Sequence, residues 1–114
     1  MNLLVLWASF GFWQAVFLAG SFMIEASPVE GMGWLGPLCG LLGLGVAGVS
    51  VLLGMRMTGP PQTVVILRGA LSEAAALLGV TSWYLSGDHL VQIGVAVAAL
   101  CAWGLAFPRA APAQ

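Results

Sequence analysis

The sequence predicts an all-α integral membrane protein, a four-helix antiparallel bundle with both termini in the cytoplasm. Of its 114 residues, 61% are hydrophobic and only 6% are charged, whereas a soluble domain of this size needs far more polar surface. Polar and proline-containing breaks divide the chain into four apolar segments. Each is close to the roughly 20 helical residues that span a hydrocarbon core of about 30 Å. We therefore expect residues 1–114 to form a single transmembrane domain.

The first two segments lie at about residues 3–24 and 34–55. The first lacks a basic start, and its apolar run is too long for a secretory signal, so we expect a retained helix. Cleavage after Ala26 is the alternative. Pro37 falls in the first turn of the second segment, where a missing N–H does little harm.

The third and fourth segments lie at about residues 62–85 and 90–107. A Pro-Pro pair that ends at Pro61 opens the third segment, and Thr58 is its predicted N-cap. Pro108 ends the fourth segment, because proline cannot continue a helix.

The arginines predict the orientation. Arg56 lies in the second connection and Arg109 in the tail, while the first and third connections carry only acidic residues and His89. The positive-inside rule then places both termini in the cytoplasm, so we expect a multi-pass protein of the inner (cytoplasmic) membrane. Aromatic residues typical of membrane interfaces agree with this orientation. Near the inner boundary lie Trp7 and Trp103, and near the outer boundary lie Trp34, Trp83 and Tyr84.

The remaining reactive side chains indicate no enzyme, no cofactor and no metal site. A net charge of −1 gives nucleic-acid binding no electrostatic basis. The sequence shows no Ser/His/Asp or Cys/His constellation and no pair of histidines, and we expect His89 to be solvated at the outer surface. Cys39 and Cys101 have no His or acidic neighbours that would complete a metal site, so we expect two small buried hydrophobes.

Small residues form a stripe along the second segment. Lipid provides no hydrophobic drive for helix association, so such residues promote packing by letting backbones approach closely. Gly45 and Gly48 add a second strip, which favours a homo-oligomer or packing against other membrane-complex subunits, although packing within one chain is the alternative. The helix-packing residues predicted on the second and third segments are Gly36, Gly40, Gly43, Ala47, Ser50, Gly54, Gly69 and Gly79.

Glu73 lies near the middle of the third segment. An ionised carboxylate there would cost several kcal/mol, so the group must be protonated, paired or bound to an ion. We expect a neutral acid that binds a proton or cation reversibly, with Gln14 and Ser72 as further ion-site residues. Hydrogen-bonded glue between helices is the alternative. Arg68 faces another direction on the helix and is expected to be an interfacial anchor or a charge partner for another helix.

Two short runs suggest related halves of the chain. QAVFLAG, which begins at Gln14, aligns with EAAALLG, which begins at Glu73. If the halves are related, only the second has an acid at this position, because Gln14 stands where Glu73 does.

A glycine-rich run, GPLCGLLGLGVAGVSVLLG, is followed by a loop with Arg56 and a Pro-Pro pair, and then by an acid in ALSEAAALLG. Residues 36–85 thus resemble the hairpin of the proteolipid subunit, subunit c, of rotary ATP synthases and vacuolar-type ATPases. The resemblance implies that Glu73 binds a coupling ion. The chain adds a helix on either side of that hairpin. It is also similar to small uncharacterised bacterial four-helix membrane proteins with an R-x-A-L-x-E segment.

The sequence thus predicts a small oligomeric, proteolipid-like membrane protein whose mid-membrane carboxylate binds a proton or cation. One alternative is a structural or assembly subunit of a larger membrane complex, with Glu73 as hydrogen-bond glue. Another is a small four-helix exporter, which resembles the small multidrug-resistance family in size. That family carries its essential acid on the first helix, where this chain has Gln14.

Overall fold

The computed structural model describes residues 2–25, 30–31, 33–56, 58–87 and 89–108. These residues are all-helical in their regular structure, as predicted, and each helix begins and ends within three residues of its expected bounds. Two residues on which predictions depend lie outside the described residues: Ala26, the alternative cleavage site, and Arg109, which contributes to the predicted orientation. The helices are α1 (Leu3–Ser21), α2 (Leu35–Arg56), α3 (Pro61–Ser86) and α4 (His89–Leu105).

Three of the helices, α1, α2 and α3, are long and apolar enough to cross a membrane. Helix α4 is apolar but has 17 residues, which at about 1.5 Å per residue gives roughly 25 Å. That length lies at the lower end of the range for membrane spans.

The starts of α1 and α3 are capped in different ways. The Asn2 side chain accepts a hydrogen bond from Leu4 N at 2.9 Å and caps α1. The predicted Thr58 cap of α3 is wrong, because the N-cap position is Pro60 and no side chain caps the helix. Pro61, at the first helical position, has a preset φ and no N–H, so it leaves one donor fewer to satisfy.

A glycine ends α3. Gly87 follows α3 with a φ of 75°, in the left-handed region that glycine adopts without strain, and its N–H donates to Trp83 O. Helix α4 begins at His89, so α3 and α4 must lie side by side.

Helix α3 is the centre of the fold. It contacts α1, α2 and α4, whereas among the described residues α1 and α2 do not contact each other. Helix α4 also touches both α1 and α2. The first two helices are therefore separated by the last two.

Contacts along the helices give their relative directions. Gly36, near the start of α2, lies against Ser86 at the end of α3, and Gly54, near the end of α2, lies against Arg68. Helices α2 and α3 thus run in opposite directions. The ring of Phe10 on α1 packs over Gly69 of α3, and the next turn of α1 meets the next turn of α3, so α1 and α3 run the same way.

The centre of the fold is built from very small side chains. Alanines from α2, α3 and α4 form one buried cluster, which allows close backbone approach where lipid provides no hydrophobic drive. The members of this cluster are Ala47, Ala75, Ala76, Ala99 and Ala102.

The predicted stripe on α2 packs within the chain. A Cβ built on Gly40 would lie 2.5 Å from Val91 Cγ1, and one on Gly43 would lie 2.8 Å from Val95 Cγ1. Gly45 and Gly48 are exposed and have nothing within 4 Å of an added Cβ among the described residues. The main stripe therefore serves the fold of one chain, and the second strip faces outward.

The outer surface is strongly apolar. Large hydrophobic side chains that are more than half exposed occur on α1, α2 and α4, including Phe12 (63%), Leu41 (67%) and Leu90 (79%). Such a surface fits a hydrocarbon environment.

Candidate functional site: two glutamine–serine chains and Glu73

A chain of two hydrogen bonds joins α1 to α3 near mid-helix. Gln14 Nε2 donates to Ser72 Oγ at 3.1 Å, and Ser72 Oγ donates to the Gly69 carbonyl at 2.9 Å. Both Gln14 and Ser72 are buried. The structure thus brings together two of the three predicted ion-site residues.

The structure places the nitrogen of the Gln14 amide toward Ser72, whose hydroxyl donates to Gly69 O. The oxygen Oε1 then faces away from Ser72. Gln14 is 2% exposed, and no described residue donates a hydrogen bond to its Oε1.

The same arrangement occurs a second time between α4 and α1. Gln92 Nε2 donates to Ser21 Oγ, and Ser21 Oγ donates to the Leu18 carbonyl at 2.6 Å. Gln92 Oε1 therefore faces away from Ser21, and it lies 2.8 Å from His89 Nδ1. In the tautomer with a proton on Nδ1, His89 donates this hydrogen bond and the amide oxygen accepts it.

His89 is held between two aromatic rings. Its imidazole stacks on Phe22 at a centroid distance of 5.1 Å and an angle of 7°, and on Trp83 at 5.1 Å and 27°. The expectation of a solvated His89 was wrong, because the residue is half-buried in this stack. Sequence inspection missed the site. The one available signal was Gln92, a polar residue inside an apolar segment.

A small cavity lies between α1, α3 and α4. Its volume is about 90 Å³, and Gln14 and Gln92 are the polar residues that line it. The other lining residues are apolar: Ala15, Leu18, Ala76, Val80, Ala96 and Leu100.

Glu73 stands apart from both glutamine–serine chains. It follows Ser72 by one residue, so its side chain points about 100° away around α3. The carboxyl is half-buried and makes no hydrogen bond or ion pair with any described residue. Of the residues that share its face of the helix, Ala70 and Leu77 are exposed, whereas Gly69 and Ala76 are buried. Glu73 therefore lies on a flank of α3, at the edge between exposed and packed surface.

Arg68 lies at one end of the fold. Its guanidinium covers Gly54, and its carbonyl accepts a hydrogen bond from Ser50 Oγ at 3.1 Å. The side chain lines an open cleft of about 540 Å³ formed by the end of α2, the start of α3 and the residues that follow α4. Arg68 and Glu73 are five residues apart and so point about 140° apart around the helix.

The two cysteines are free. Cys39 is half-buried, but Cys101 is exposed on the outside of the helices, so the expectation that both are buried in the protein was wrong for Cys101. Among the described residues, no group of three His, Cys, Asp or Glu side chains could hold a metal ion.

No protein-family model, curated protein or solved structure matches this chain. The resemblance of residues 36–85 to a proteolipid hairpin therefore stays a prediction.

Proposed function

We propose that this chain is a multi-pass protein of the inner membrane that binds and releases a proton or a cation at Glu73. All four helices cross the bilayer as an antiparallel bundle, and both termini lie in the cytoplasm. The lengths and apolar surfaces of α1, α2 and α3 support the membrane assignment. Arg56, at the end of α2, supports the orientation.

The environment of the Glu73 carboxyl carries the proposal. To hold the helices of one chain together, the Glu73 carboxyl would need a hydrogen bond to another helix, and no described residue provides one. Gln14 and Ser72, the expected partners, bond to each other instead. A carboxyl in hydrocarbon that is not engaged in holding helices together is available for proton or cation exchange.

Labelling with a hydrophobic carbodiimide tests this function. A protonated carboxyl transfers its proton to the carbodiimide, and the carboxyl oxygen then adds to the central carbon of the reagent. We therefore expect Glu73 to react at neutral pH in the purified full-length protein and to react more slowly as the pH rises. A bound cation should slow the reaction further. Glu73→Gln is the matched control and should not react at this position. Modification of Glu25, which is exposed beyond α1, at a rate equal to that of Glu73 would contradict the proposal.

A structural or assembly role is the second candidate, and the outward strip on α2 favours it. Gly45 and Gly48 leave the backbone accessible to another helix, either from a second copy or from a larger complex. Native mass spectrometry of the wild type and of Gly48→Leu tests this role. A homo-oligomer or complex that is lost in the variant supports it, and a monomer in both samples opposes it.

A further inference from the structure

The guanidinium of Arg68 lies closer to the end of the fold than its backbone does. Arg68 follows Pro61, the first residue of α3, by seven residues, so its backbone is about 10 Å along the helix at about 1.5 Å per residue. The guanidinium, however, lies against Gly54, and α2 ends two residues later, at Arg56. Since α2 and α3 run in opposite directions, the side chain reaches back toward the end of the fold, as long cationic side chains do to place their charge at a membrane boundary.

The open cleft at this end combines one cation with apolar walls. Its volume is about 540 Å³, within the range of about 300–1,000 Å³ that is typical of ligand sites. Among the described residues that line it, only Arg68 has a polar side chain. Each of the four helices contributes apolar side chains to the walls, for example Leu3, Val51, Val64 and Leu105. A ligand that suits this cleft therefore carries both an anionic group and hydrocarbon.

The charges around the cleft also favour an anion. Arg56 is exposed at the end of α2 and directly follows Met55, which lines the cleft. No described acidic residue lines it, since Glu25 follows α1 and Glu30 precedes α2, both at the opposite end of the helices. Basic pockets between membrane helices on the cytoplasmic side are typical binding sites for anionic lipid headgroups.

We propose that this cleft binds one anionic phospholipid, with its phosphate on the Arg68 guanidinium and a hydrocarbon chain on the apolar walls. A guanidinium has five N–H donors in a planar fork that matches phosphate oxygens, so it can hold a phosphate in addition to contacts within the chain. Nε of Arg68 is buried, so the terminal nitrogens donate to the lipid. A free phosphate would leave the apolar walls uncovered. The site rests on the proposed membrane-spanning arrangement with this end in the cytoplasm, but not on proton or cation exchange at Glu73.

Native mass spectrometry of the full-length protein in detergent, titrated with lipid, tests this site. The probes are phosphatidylglycerol and phosphatidylcholine with the same acyl chains, which share a phosphate, although choline adds a compensating cation. We expect the wild type to bind phosphatidylglycerol about tenfold more tightly, which matches the contribution of a hydrogen bond to a charged group. Arg68→Gln should remove this preference, whereas Arg68→Lys should keep part of it, because lysine keeps the charge but not the fork. Arg56→Gln is the matched control for charge, since Arg56 does not line the cleft, and it should keep most of the preference.

A second pair of variants tests the cleft without changing its charge. Val64→Trp fills the cleft and should abolish the preference even if Arg68→Gln fails to fold. Thr63→Trp should bind as the wild type does, because Thr63 is exposed on α3 and does not line the cleft. Carbodiimide labelling of Glu73 should be unchanged in both variants, so a failure of the lipid site is distinguishable from a failure of the ion site.

Four results would overturn the proposal. The first is equal binding of the two lipids by the wild type, and the second is an unchanged preference in Val64→Trp. The third is an equal loss of preference in Arg56→Gln and Arg68→Gln, which would assign the effect to surface charge. The last is complete displacement of phosphatidylglycerol by glycerol 3-phosphate, which has the phosphate without the chains. A dimer that Val64→Trp dissociates, with no lipid preference, would assign the cleft to a second copy of the chain instead.

Discussion

Trp7 and Trp103 join the first helix to the last through two reciprocal hydrogen bonds. Each indole Nε1 donates to the backbone carbonyl of the other residue at 2.8 Å. The rings stack with centroids 4.0 Å apart and planes 7° apart, and Phe107 packs edge-on against Trp7. Gly11 provides the space, since an added Cβ there would collide with the Trp103 ring.

Substitution of either tryptophan by phenylalanine should keep a stacked ring and remove one hydrogen bond. We expect Trp7→Phe and Trp103→Phe each to lower the free energy of unfolding by about 1–2 kcal/mol. Denaturation in mixed micelles measures this change. Trp13→Phe is the control, because Trp13 is 49% exposed and no described residue accepts a hydrogen bond from its indole. An equal loss of unfolding free energy in Trp13→Phe would mean that the reciprocal hydrogen bonds make no specific contribution to stability.

Alanine at Gly43 should be far less tolerated than alanine at Gly45. A Cβ on Gly43 would lie 2.8 Å from Val95 Cγ1 and 3.1 Å from the Ala75 carbonyl, whereas one on Gly45 meets nothing within 4 Å. We expect Gly43→Ala to destabilise the monomer by more than 1 kcal/mol. Gly45→Ala should be neutral or stabilising by up to about 1 kcal/mol, because alanine is the better helix former.

Unfolding of both variants in the same detergent decides this prediction. Equal stability would show that the packed stripe tolerates a methyl group. A loss of oligomer from Gly43→Ala with unchanged unfolding of the monomer would assign the stripe to an interface between chains.

Loss of the Ser72 hydroxyl should expose the cost of a buried amide donor. Ser72→Ala leaves Gln14 Nε2 without its acceptor, and we expect a loss of roughly 1–3 kcal/mol in stability. The double variant Gln14→Leu, Ser72→Ala removes both polar partners and should recover part of that loss. Ser9→Ala is the control, since Ser9 is exposed and bonds only to the Val5 carbonyl one turn earlier. If the change in stability of the double variant equalled the sum of the changes in Gln14→Leu and Ser72→Ala, Gln14 and Ser72 would not be coupled.

Cysteine labelling should establish the orientation. In a background without Cys39 and Cys101, a cysteine placed at Glu30 should react with a membrane-impermeant reagent added outside the cell. A cysteine at Thr58 should react only after the inner side is opened. Both positions are exposed in the structure. Labelling of the Glu30 position only from the cytoplasm would reverse the proposed topology.

Glu73→Gln should keep the fold and abolish ion coupling. The carboxyl makes no hydrogen bond or ion pair with a described residue, so its replacement by a neutral amide should change the free energy of unfolding by less than about 0.5 kcal/mol. Proton or cation flux in proteoliposomes measures the coupling. Normal flux in the variant would refute the proposed function. Marked destabilisation that Arg68→Gln reverses would instead show an ion pair with Arg68 of a neighbouring copy.

The helices were predictable because their boundaries depend on local features. Prolines at 60 and 61 and the apolar runs between polar breaks determine where each helix begins and ends, whatever the tertiary contacts. The small-residue stripe on α2 was also visible as a packing surface. Its partners were not, because spacing reveals a face of a helix but not what covers it.

The site was predictable only in part. Gln14 and Ser72 were expected near each other and do touch, yet the position of Glu73 at the edge of the packed surface depends on which helices surround α3. Gln92 and Ser21 are 71 residues apart, and no pattern in one sequence indicates that pairing. Four helices can pack in several arrangements. The sequence does not indicate the arrangement found here, in which the described residues of α1 and α2 do not contact each other.

That arrangement has a consequence for biosynthesis. Helix α1 leaves the ribosome first, but the partners of Gln14 and Ser21 lie 58 and 71 residues further along the chain. Helix α2, which follows directly, offers α1 no surface to pack on. Helix α1 must therefore wait in the membrane, with its Gln14 amide unmatched, until α3 has been inserted. Of these four helices, α1 precedes the others but cannot be fixed in place before α3.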